Sequence, residues 1–284
     1  MNTGHKRPPG SVEFNNKDRV MLVSGGGQGI GRATAKAWAE SGGIAIVMEK
    51  DLKLRAKVAG WGQFYHGDVT SPESCRDIVM SVTKSYGGID VVVPNAVIEG
   101  PESYLDPHLI SPSLWEEYMA VNLTGVQNIL REVIPVMLNQ GSGYAVLVCS
   151  VQGMVGARQS AVYAASKAAM LNMTGTYATS YARHNIRVNG VLPGAVMTEG
   201  MVPKLAGQGG STELANRHPR GVIGLPEEIA RVILALASPI ADNVIGSQWR
   251  CDGGLMVFPA FDNPFSIENL PEQPLAEWQQ EQSH

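Results

Sequence analysis

The stretch that decides the fold reads RVMLVSGGGQGIG over residues 19–31, an apolar run followed at once by a glycine-rich turn. The run Arg19–Ser24 is short and nearly all Val, Met and Leu, which is typical of a strand covered on both faces. The amphipathic stretch Ile30 to Ser41 then predicts a helix. Glycines between a strand and a helix let backbone amides approach a pyrophosphate, so the stretch predicts a dinucleotide site.

The same alternation of apolar runs and amphipathic stretches continues to Cys251, which predicts right-handed crossovers and a parallel sheet. We expect an α/β fold: one Rossmann-like, doubly wound domain, with a mostly parallel sheet of about seven strands and helices on both faces. The further predicted strands are Ile44–Glu49, Gln63–His66, Ile89–Pro94, Tyr144–Ser150, Ile186–Leu192 and Ser247–Cys251. The further predicted helices are Pro72–Tyr86, Ser113–Asn139, Ala161–His184 and Pro226–Ala237. Ser71-Pro72 at the start of the first of these predicts an N-cap followed by proline at the first helical position.

The end of the second predicted strand carries an acidic residue, Glu49. A carboxylate there can accept hydrogen bonds from the ribose hydroxyls of adenosine, and it repels a 2′-phosphate. We therefore expect NAD rather than NADP as the cofactor. Lys50 follows directly and Arg32 opens the first helix, and either cation could meet a phosphate, so NADP stays open as the less favoured choice.

Composition and charge exclude several classes of function. The 284 residues carry a net charge of −4, which gives no electrostatic reason to expect nucleic acid or an anionic membrane as a partner. The 3 cysteines contain no CxxC pair, so neither a disulfide framework nor a metal site is predicted, and a reduced, cytoplasmic protein is expected. Residues 1–18 predict a flexible arm, 19–257 the catalytic domain, and 258–284 a C-terminal extension that docks on the body or on a neighbouring subunit.

A possible catalytic group lies in the predicted helix after residue 160. Tyr163 and Lys167 are spaced i, i+4 and therefore lie on one face. Ser150 ends a predicted strand shortly before them. Asn122 stands in a long helical stretch that otherwise prefers better helix formers.

Together these motifs resemble, in order and spacing, those of the short-chain dehydrogenase/reductase family, over about residues 18–257. The resemblance rests on Gly25-x3-Gly29-Ile30-Gly31, Asp68-Val69, Asn95-Ala96, Asn122, Ser150, Tyr163-x3-Lys167, Pro193-Gly194 and Asp252-Gly253-Gly254.

The resemblance implies a role for each of these residues. Tyr163 would exchange a proton with the substrate oxygen and Ser150 would hold that oxygen. Lys167 would bind the nicotinamide ribose and lower the pKa of Tyr163, and Asn122 would anchor a water relay behind Lys167. Asp68 and Val69 resemble the pair that meets adenine, Asn95 and Ala96 lie along adenosine, and the segment from Pro193 to Thr198 meets the nicotinamide amide and the phosphates. The residues predicted to bind the cofactor are Gly25, Gln28, Gly29, Ile30, Gly31, Glu49, Asp68, Val69, Asn95, Ala96, Tyr163, Lys167, Pro193, Gly194, Val196 and Thr198.

Two positions depart from the family pattern after the fourth strand, where Asn-Asn-Ala-Gly is usual. Pro94 removes a backbone donor, and Val97 cannot enter left-handed conformations cheaply. We therefore expect a local difference in geometry beside the cofactor.

The expected substrate is a secondary alcohol, or its ketone, with a mainly apolar body. Methionines near the site indicate an adaptable pocket, and the predicted pocket residues are Ser150, Gln152, Met154, Met197 and Met201. The resemblance also implies that the loop from Met197 to Gln208 forms part of the pocket wall. A cis-diol or dihydrodiol dehydrogenase is the alternative, since the same four residues serve that oxidation, and a non-catalytic NAD(H)-binding regulator is a remote one. The resemblance also implies a homo-oligomer, a tetramer or a dimer, formed through the two long helices.

Overall fold

The computed structural model describes residues 11–100, 103–201 and 210–257. Seven strands lie among them: β1 (Val20–Ser24), β2 (Ile44–Glu49), β3 (Gln63–His66), β4 (Val91–Pro94), β5 (Gly143–Val148), β6 (Ile186–Pro193) and β7 (Gln248–Cys251). They form one sheet in the order β3-β2-β1-β4-β5-β6-β7, and every pairing is parallel. This order confirms the predicted doubly wound fold.

Helices cover both faces of the sheet and bury its apolar side chains in two separate clusters. The helices are α1 (Gly29–Glu40), α2 (Arg55–Val58), α3 (Pro72–Tyr86), α4 (Pro112–Met119), α5 (Gly125–Gln140), α6 (Ala161–Tyr181), α7 (Gly210–Asn216) and α8 (Pro226–Leu236). One cluster packs the inner strands against α3, α5 and α6, and the other packs them against α1 and α8.

Local signals account for the ends of α3. The hydroxyl of Ser71 accepts a hydrogen bond from the amide of Ser74 at 3.1 Å, and Pro72 occupies the first turn. Gly87 ends the helix in the left-handed conformation that glycine adopts without strain. The predicted cap at Ser71-Pro72 is therefore confirmed.

The prediction of one continuous helix over Ser113–Asn139 is wrong. The chain forms α4, then a π-helical turn over Ala120–Thr124, and then α5. A π-turn adds a residue to the turn and re-aims a side chain, and it is common at functional sites. Here it directs Asn122, which is fully buried, towards the loop after β4. For the other predicted elements the ends differ by at most three residues. The largest difference is in the long helix before β6, which ends at Tyr181 and continues to His184 as a short 3₁₀ turn.

Packing begins before residue 19, inside the segment predicted as a flexible arm. The amide and side chain of Asn16 bond to Ser41 at the end of α1, and Phe14 packs against the cluster beneath that helix. Residues 1–10 and the predicted C-terminal extension, 258–284, lie outside the described residues. Within the described ranges, no helix has the length and apolar character that spanning a bilayer requires.

Candidate active site

A cavity of about 620 Å³ opens at the carboxyl ends of the parallel strands, where ligands of this fold bind. The turn after β1 forms one wall, the ends of β2 and β4 form the next, and α6 with the segment after β6 closes the far side. Of the predicted site residues, the cavity brings together Gly25, Gln28, Gly29, Ile30, Glu49, Asp68, Val69, Asn95, Ala96, Ser150, Tyr163, Lys167, Pro193, Gly194, Val196, Thr198 and Met201.

The glycine turn has the close contacts that only glycine tolerates. Gly25 lies at φ +64° and Gly29 at φ +53°. A Cβ on Gly31, which lies behind the cavity wall, would come within 2.3 Å of the Gly25 carbonyl oxygen. Asn95 fixes the turn by donating to that same oxygen at 2.8 Å. The turn therefore presents the amides at the start of α1 to the cavity, as a dinucleotide requires.

The segment after β6 lies over the glycine turn. A Cβ on Gly29 would stand 3.2 Å from Cγ2 of Thr198. Gly194 is equally close to the turn that follows β7, since a Cβ there would be 3.0 Å from Cα of Asp252. Gly29 and Gly194 therefore allow the segments after β6 and β7 to come close to the site. The residues present fit the diphosphate and nicotinamide portions of a dinucleotide.

At the adenosine end, Glu49 folds back onto the glycine turn. Its carboxylate accepts from the amide of Gly27 at 3.2 Å and from the amide of Lys50 at 2.9 Å. The Lys50 ammonium lies 2.7 Å from Oδ2 of Asp68, the predicted adenine contact. Burial acts to raise the pKa of Asp68, but the bonds from Lys50 and Thr70 hold it below its usual range. Lys50 is therefore paired with Asp68.

A second carboxylate, which no sequence motif identified, lies at the start of α1. Oε2 of Glu199 accepts from the amide of Gly29 at 2.9 Å, and Oε1 lies 2.9 Å from a guanidinium nitrogen of Arg32. Both partners are far from Glu199 in sequence, and only the return of the chain after β6 brings them together.

The predicted catalytic residues meet on the opposite wall. Ser150, directly after β5, is extended at φ −165°, and its hydroxyl accepts from the amide of Gln152 at 3.2 Å. Tyr163 and Lys167 lie one turn apart on the buried face of α6. The Lys167 ammonium donates to the carbonyl of Val148 at 2.8 Å and lies 5.7 Å from the centre of the Tyr163 ring.

The protonation energetics of this group are dominated by burial. Burial raises the pKa of the Tyr163 phenol, and the negative charge of Glu99 raises it further, while a hydrogen bond with Ser150 opposes both. Burial lowers the pKa of the Lys167 ammonium. Both shifts favour the neutral forms, so added positive charge near the phenol would be needed to make it a base near neutral pH.

Asn122 lies behind this wall and does not border the cavity. Its side-chain oxygen accepts from the amide of Ile98 at 2.9 Å, and its amide nitrogen donates to the carbonyl of Ile98 at 3.0 Å. The same nitrogen lies 3.4 Å from the hydroxyl of Ser166. Asn122 thus ties the loop after β4 to α6.

The two departures from the family pattern are accommodated without strain. Pro94 has no backbone N–H to donate, and it pairs with Ser24 at the end of β4. The amide of the next residue, Asn95, donates to the Ser24 hydroxyl at 3.1 Å, so hydrogen bonding resumes directly after the proline. Among the described residues, Val97 is not one of those with positive φ. Its side chain is 45% exposed and borders the cavity. A valine therefore adds apolar surface where glycine is usual.

Three predicted pocket residues do not border the cavity. Gln152 turns away and accepts a hydrogen bond from the Ser160 hydroxyl, and Met154 is half-exposed. Met197 is buried in a small cluster with Ala215 and Ile223, because the chain after β6 packs against α7. Part of the predicted loop wall, residues 202–208, lies outside the described residues. The ranges that the structure describes contain no cluster of His, Cys, Asp and Glu able to hold a metal ion.

Comparison with known proteins adds the family. A family model described as enoyl-(acyl carrier protein) reductase matches residues 25–256. The chain is similar to a 3-oxoacyl-(acyl-carrier-protein) reductase of Thermotoga maritima, with 37% identity over 246 residues that cover 84% of this chain and 98% of that protein. It is also similar to a cis-4-hydroxycyclohexanecarboxylate dehydrogenase of Sinomonas cyclohexanicum, with 34% identity over 245 residues that cover 84% of this chain and 96% of that protein.

Among solved structures, that of a levodione reductase has a TM-score of 0.82 at 28% identity, and the match covers 86% of this chain and 100% of that one. The residues matched by the family model span the glycine turn, Ser150, Tyr163, Lys167 and the last strand. The chain therefore belongs to the short-chain dehydrogenase/reductase family and is an oxidoreductase that works with a nicotinamide dinucleotide, NAD or NADP.

Proposed function

We propose that this protein is an NAD-dependent alcohol dehydrogenase or ketone reductase that acts on a secondary alcohol or its ketone. The observation that carries the proposal is the meeting of Ser150, Tyr163 and Lys167 on one wall of the cavity whose other wall is the glycine turn. Hydride transfer needs a carbonyl carbon and a nicotinamide held together beside a proton donor, and this arrangement supplies that geometry.

In this proposal each residue of the wall has one task. The Tyr163 phenol gives a proton to the substrate oxygen in reduction and takes it in oxidation. The Ser150 hydroxyl holds that oxygen by a hydrogen bond. The Lys167 ammonium lies 5.7 Å from the centre of the Tyr163 ring, and in its charged form it favours the phenolate because opposite charges attract. Bound NAD⁺ would supply the hydride acceptor and a further positive charge. Asn122 is a positioning residue, since it touches Ile98 and Ser166 rather than the cavity.

The preference for NAD rests on charge at the adenosine end. Glu49 places a carboxylate at the rim of the glycine turn, where it disfavours a 2′-phosphate. Of the two cations considered for such a phosphate, Lys50 already pairs with the Asp68 carboxylate.

A secondary alcohol with a mainly apolar body is supported by three apolar residues that border the cavity, Val97, Ile98 and Met201. A relative at 34% identity is named cis-4-hydroxycyclohexanecarboxylate dehydrogenase, and a structural neighbour at 28% identity is named levodione reductase. We accordingly expect cyclic secondary alcohols to be among the substrates.

We also propose that the protein is a homo-oligomer, a tetramer or a dimer, formed through α6. One face of α6 is buried against the sheet. The opposite face exposes Ala168, Asn172 and Thr176, and these small side chains at i, i+4 spacing leave a flat surface on which another helix could pack closely.

The test is NADH formation, followed at 340 nm, with a panel of secondary alcohols, cyclic alcohols and diols. It is run with NAD⁺ and NADP⁺ on the wild type, on Tyr163→Phe and on Tyr181→Phe. Tyr181 ends the same helix outside the cavity, so it controls for loss of a phenol from α6. We expect turnover with NAD⁺, a loss of about 10²- to 10⁴-fold in Tyr163→Phe, and little change in Tyr181→Phe.

NADH binding, measured by its fluorescence, separates chemistry from cofactor affinity. Tyr163→Phe should still bind NADH, because the substitution removes one hydroxyl from a long contact surface. A preference for NADP⁺ would overturn the cofactor assignment. A preference for diols would identify the protein as a diol dehydrogenase rather than a dehydrogenase of simple secondary alcohols. Cofactor binding without turnover on the whole panel would contradict the proposal that the site is catalytic.

A further inference from the structure

The first turn of α1 has no cap from its own neighbourhood. Gln28 occupies the N-cap position without a side-chain hydrogen bond, and the first turn holds no acidic residue. The free amides of a helix start carry partial positive charge and favour an anion. That requirement is met by Glu199, whose carboxylate accepts from the amide of Gly29 at 2.9 Å.

Arg32 holds the same carboxylate from the side. Its guanidinium lies 2.9 Å from Oε1 of Glu199, and the two side chains are 17% and 28% exposed, so water screens the pair only partly. The carboxylate therefore makes one charge-assisted hydrogen bond and one ion pair, which are stronger than neutral contacts.

The Gly29 amide is also the group that a dinucleotide of this fold needs, because the diphosphate binds at the start of the helix after the glycine turn. One N–H cannot serve the carboxylate and a diphosphate oxygen at full strength at the same time. We propose that Glu199 competes with the cofactor from within the chain: its carboxylate occupies the diphosphate-binding position at the start of α1, and the cofactor must displace it to bind. This inference rests on the proposed function, since it assumes a bound dinucleotide.

Expulsion of Glu199 would also affect the substrate side of the cavity. Glu199 is next to Thr198, which packs over Gly29, and the amide of Met201 bonds to the carbonyl of Thr198 at 2.9 Å. Met201 borders the cavity. Release of the carboxylate would therefore remove one attachment of the segment that carries Met201, which couples cofactor binding to the shape of the substrate pocket.

A competitor and an ordinary structural cap make opposite predictions. If Glu199 only caps α1, its loss weakens the fold and leaves ligand binding unchanged or weaker. If Glu199 competes, its loss weakens the fold but strengthens the binding of every ligand that carries the diphosphate. The apparent Kd for such a ligand is then the intrinsic Kd divided by the fraction of time in which the carboxylate is away from the Gly29 amide.

The experiment compares wild type with Glu199→Gln, and with Glu199→Ala as a second variant, by titration calorimetry with ADP-ribose. Adenosine, measured by displacement of NADH, is the control ligand without a phosphate. Glu40→Gln is the control protein, because Glu40 carries the same charge at the opposite, exposed end of α1. The Tm without ligand is measured for all four proteins.

We expect both Glu199 variants to bind ADP-ribose about 3- to 10-fold more tightly than wild type. Their Tm without ligand should fall by about 2–4 °C, and adenosine affinity should stay the same. Glu40→Gln should change ADP-ribose affinity by less than about twofold. Equal or weaker ADP-ribose binding in the Glu199 variants overturns the inference, and so does an equal gain in Glu40→Gln. If wild type itself does not bind ADP-ribose or NADH, the proposed function fails and the inference fails with it.

Discussion

At the scale of single residues, Glu99 is a second acidic group that no motif identified. It borders the cavity, and its carboxylate accepts from the Tyr104 hydroxyl at 2.8 Å. After burial, its charge is the largest cause of the raised pKa of Tyr163. A negative charge beside a phenol opposes its ionisation, so Glu99 adds to the effect of burial and raises the pKa of Tyr163 further.

We predict that Glu99→Gln shifts the pH profile of alcohol oxidation to lower pH. The rate rises as Tyr163 loses its proton, and removal of a nearby negative charge lowers the pKa of Tyr163, so the rising limb moves in the acidic direction. The measurement is kcat/KM for oxidation against pH. Glu117→Gln is the matched control, since Glu117 borders the same cavity but is not among the charges that act on Tyr163. If the rising limb of the kcat/KM profile does not move in Glu99→Gln, or moves equally in Glu117→Gln, then the charge of Glu99 does not control the pKa of Tyr163.

At the scale of an element, the π-turn between α4 and α5 links the fold to the site. The turn places Asn122 so that its side chain satisfies both backbone groups of Ile98, just before Glu99 on the cavity wall. The loop after β4 has no strand partner there, so the Asn122 side chain supplies the hydrogen-bond partners that the backbone of Ile98 would otherwise lack.

We predict that Asn122→Ala destabilises the protein by about 2–4 kcal/mol, because two backbone groups lose their partners and a cavity is left. Thr124→Ala is the control: Thr124 lies in the same turn, but its side chain is exposed. It should stay within about 0.5 kcal/mol of wild type. The free energy of unfolding is measured by denaturant titration. Equal stability of Asn122→Ala and wild type would mean that the loop is held by other contacts.

At the scale of the whole molecule, the sequence predicts what is local and repeated. Apolar runs and the glycine turn predict the sheet, and Ser71-Pro72 predicts a cap, because each depends on residues a few positions apart. The contacts of Glu199 with Gly29 and Arg32 could not be predicted this way, since they join distant parts of the chain. Met197 was expected at the pocket for its flexible side chain, but the packing of α7 decides where that side chain points.

The outward face of α6 leads to a prediction about assembly. A flat surface of small residues lets another helix approach closely, and a long cation in its middle would be forced against that helix without a partner. We predict that wild type has two or four times the mass of a 30.3 kDa chain by light scattering, and that Thr176→Arg has a lower mass. Met80→Arg is the control, since Met80 is an exposed residue of α3 on another part of the surface, and it should keep the wild-type mass. A monomeric wild type would contradict the proposed oligomer, and an unchanged mass in Thr176→Arg would place its interface away from α6.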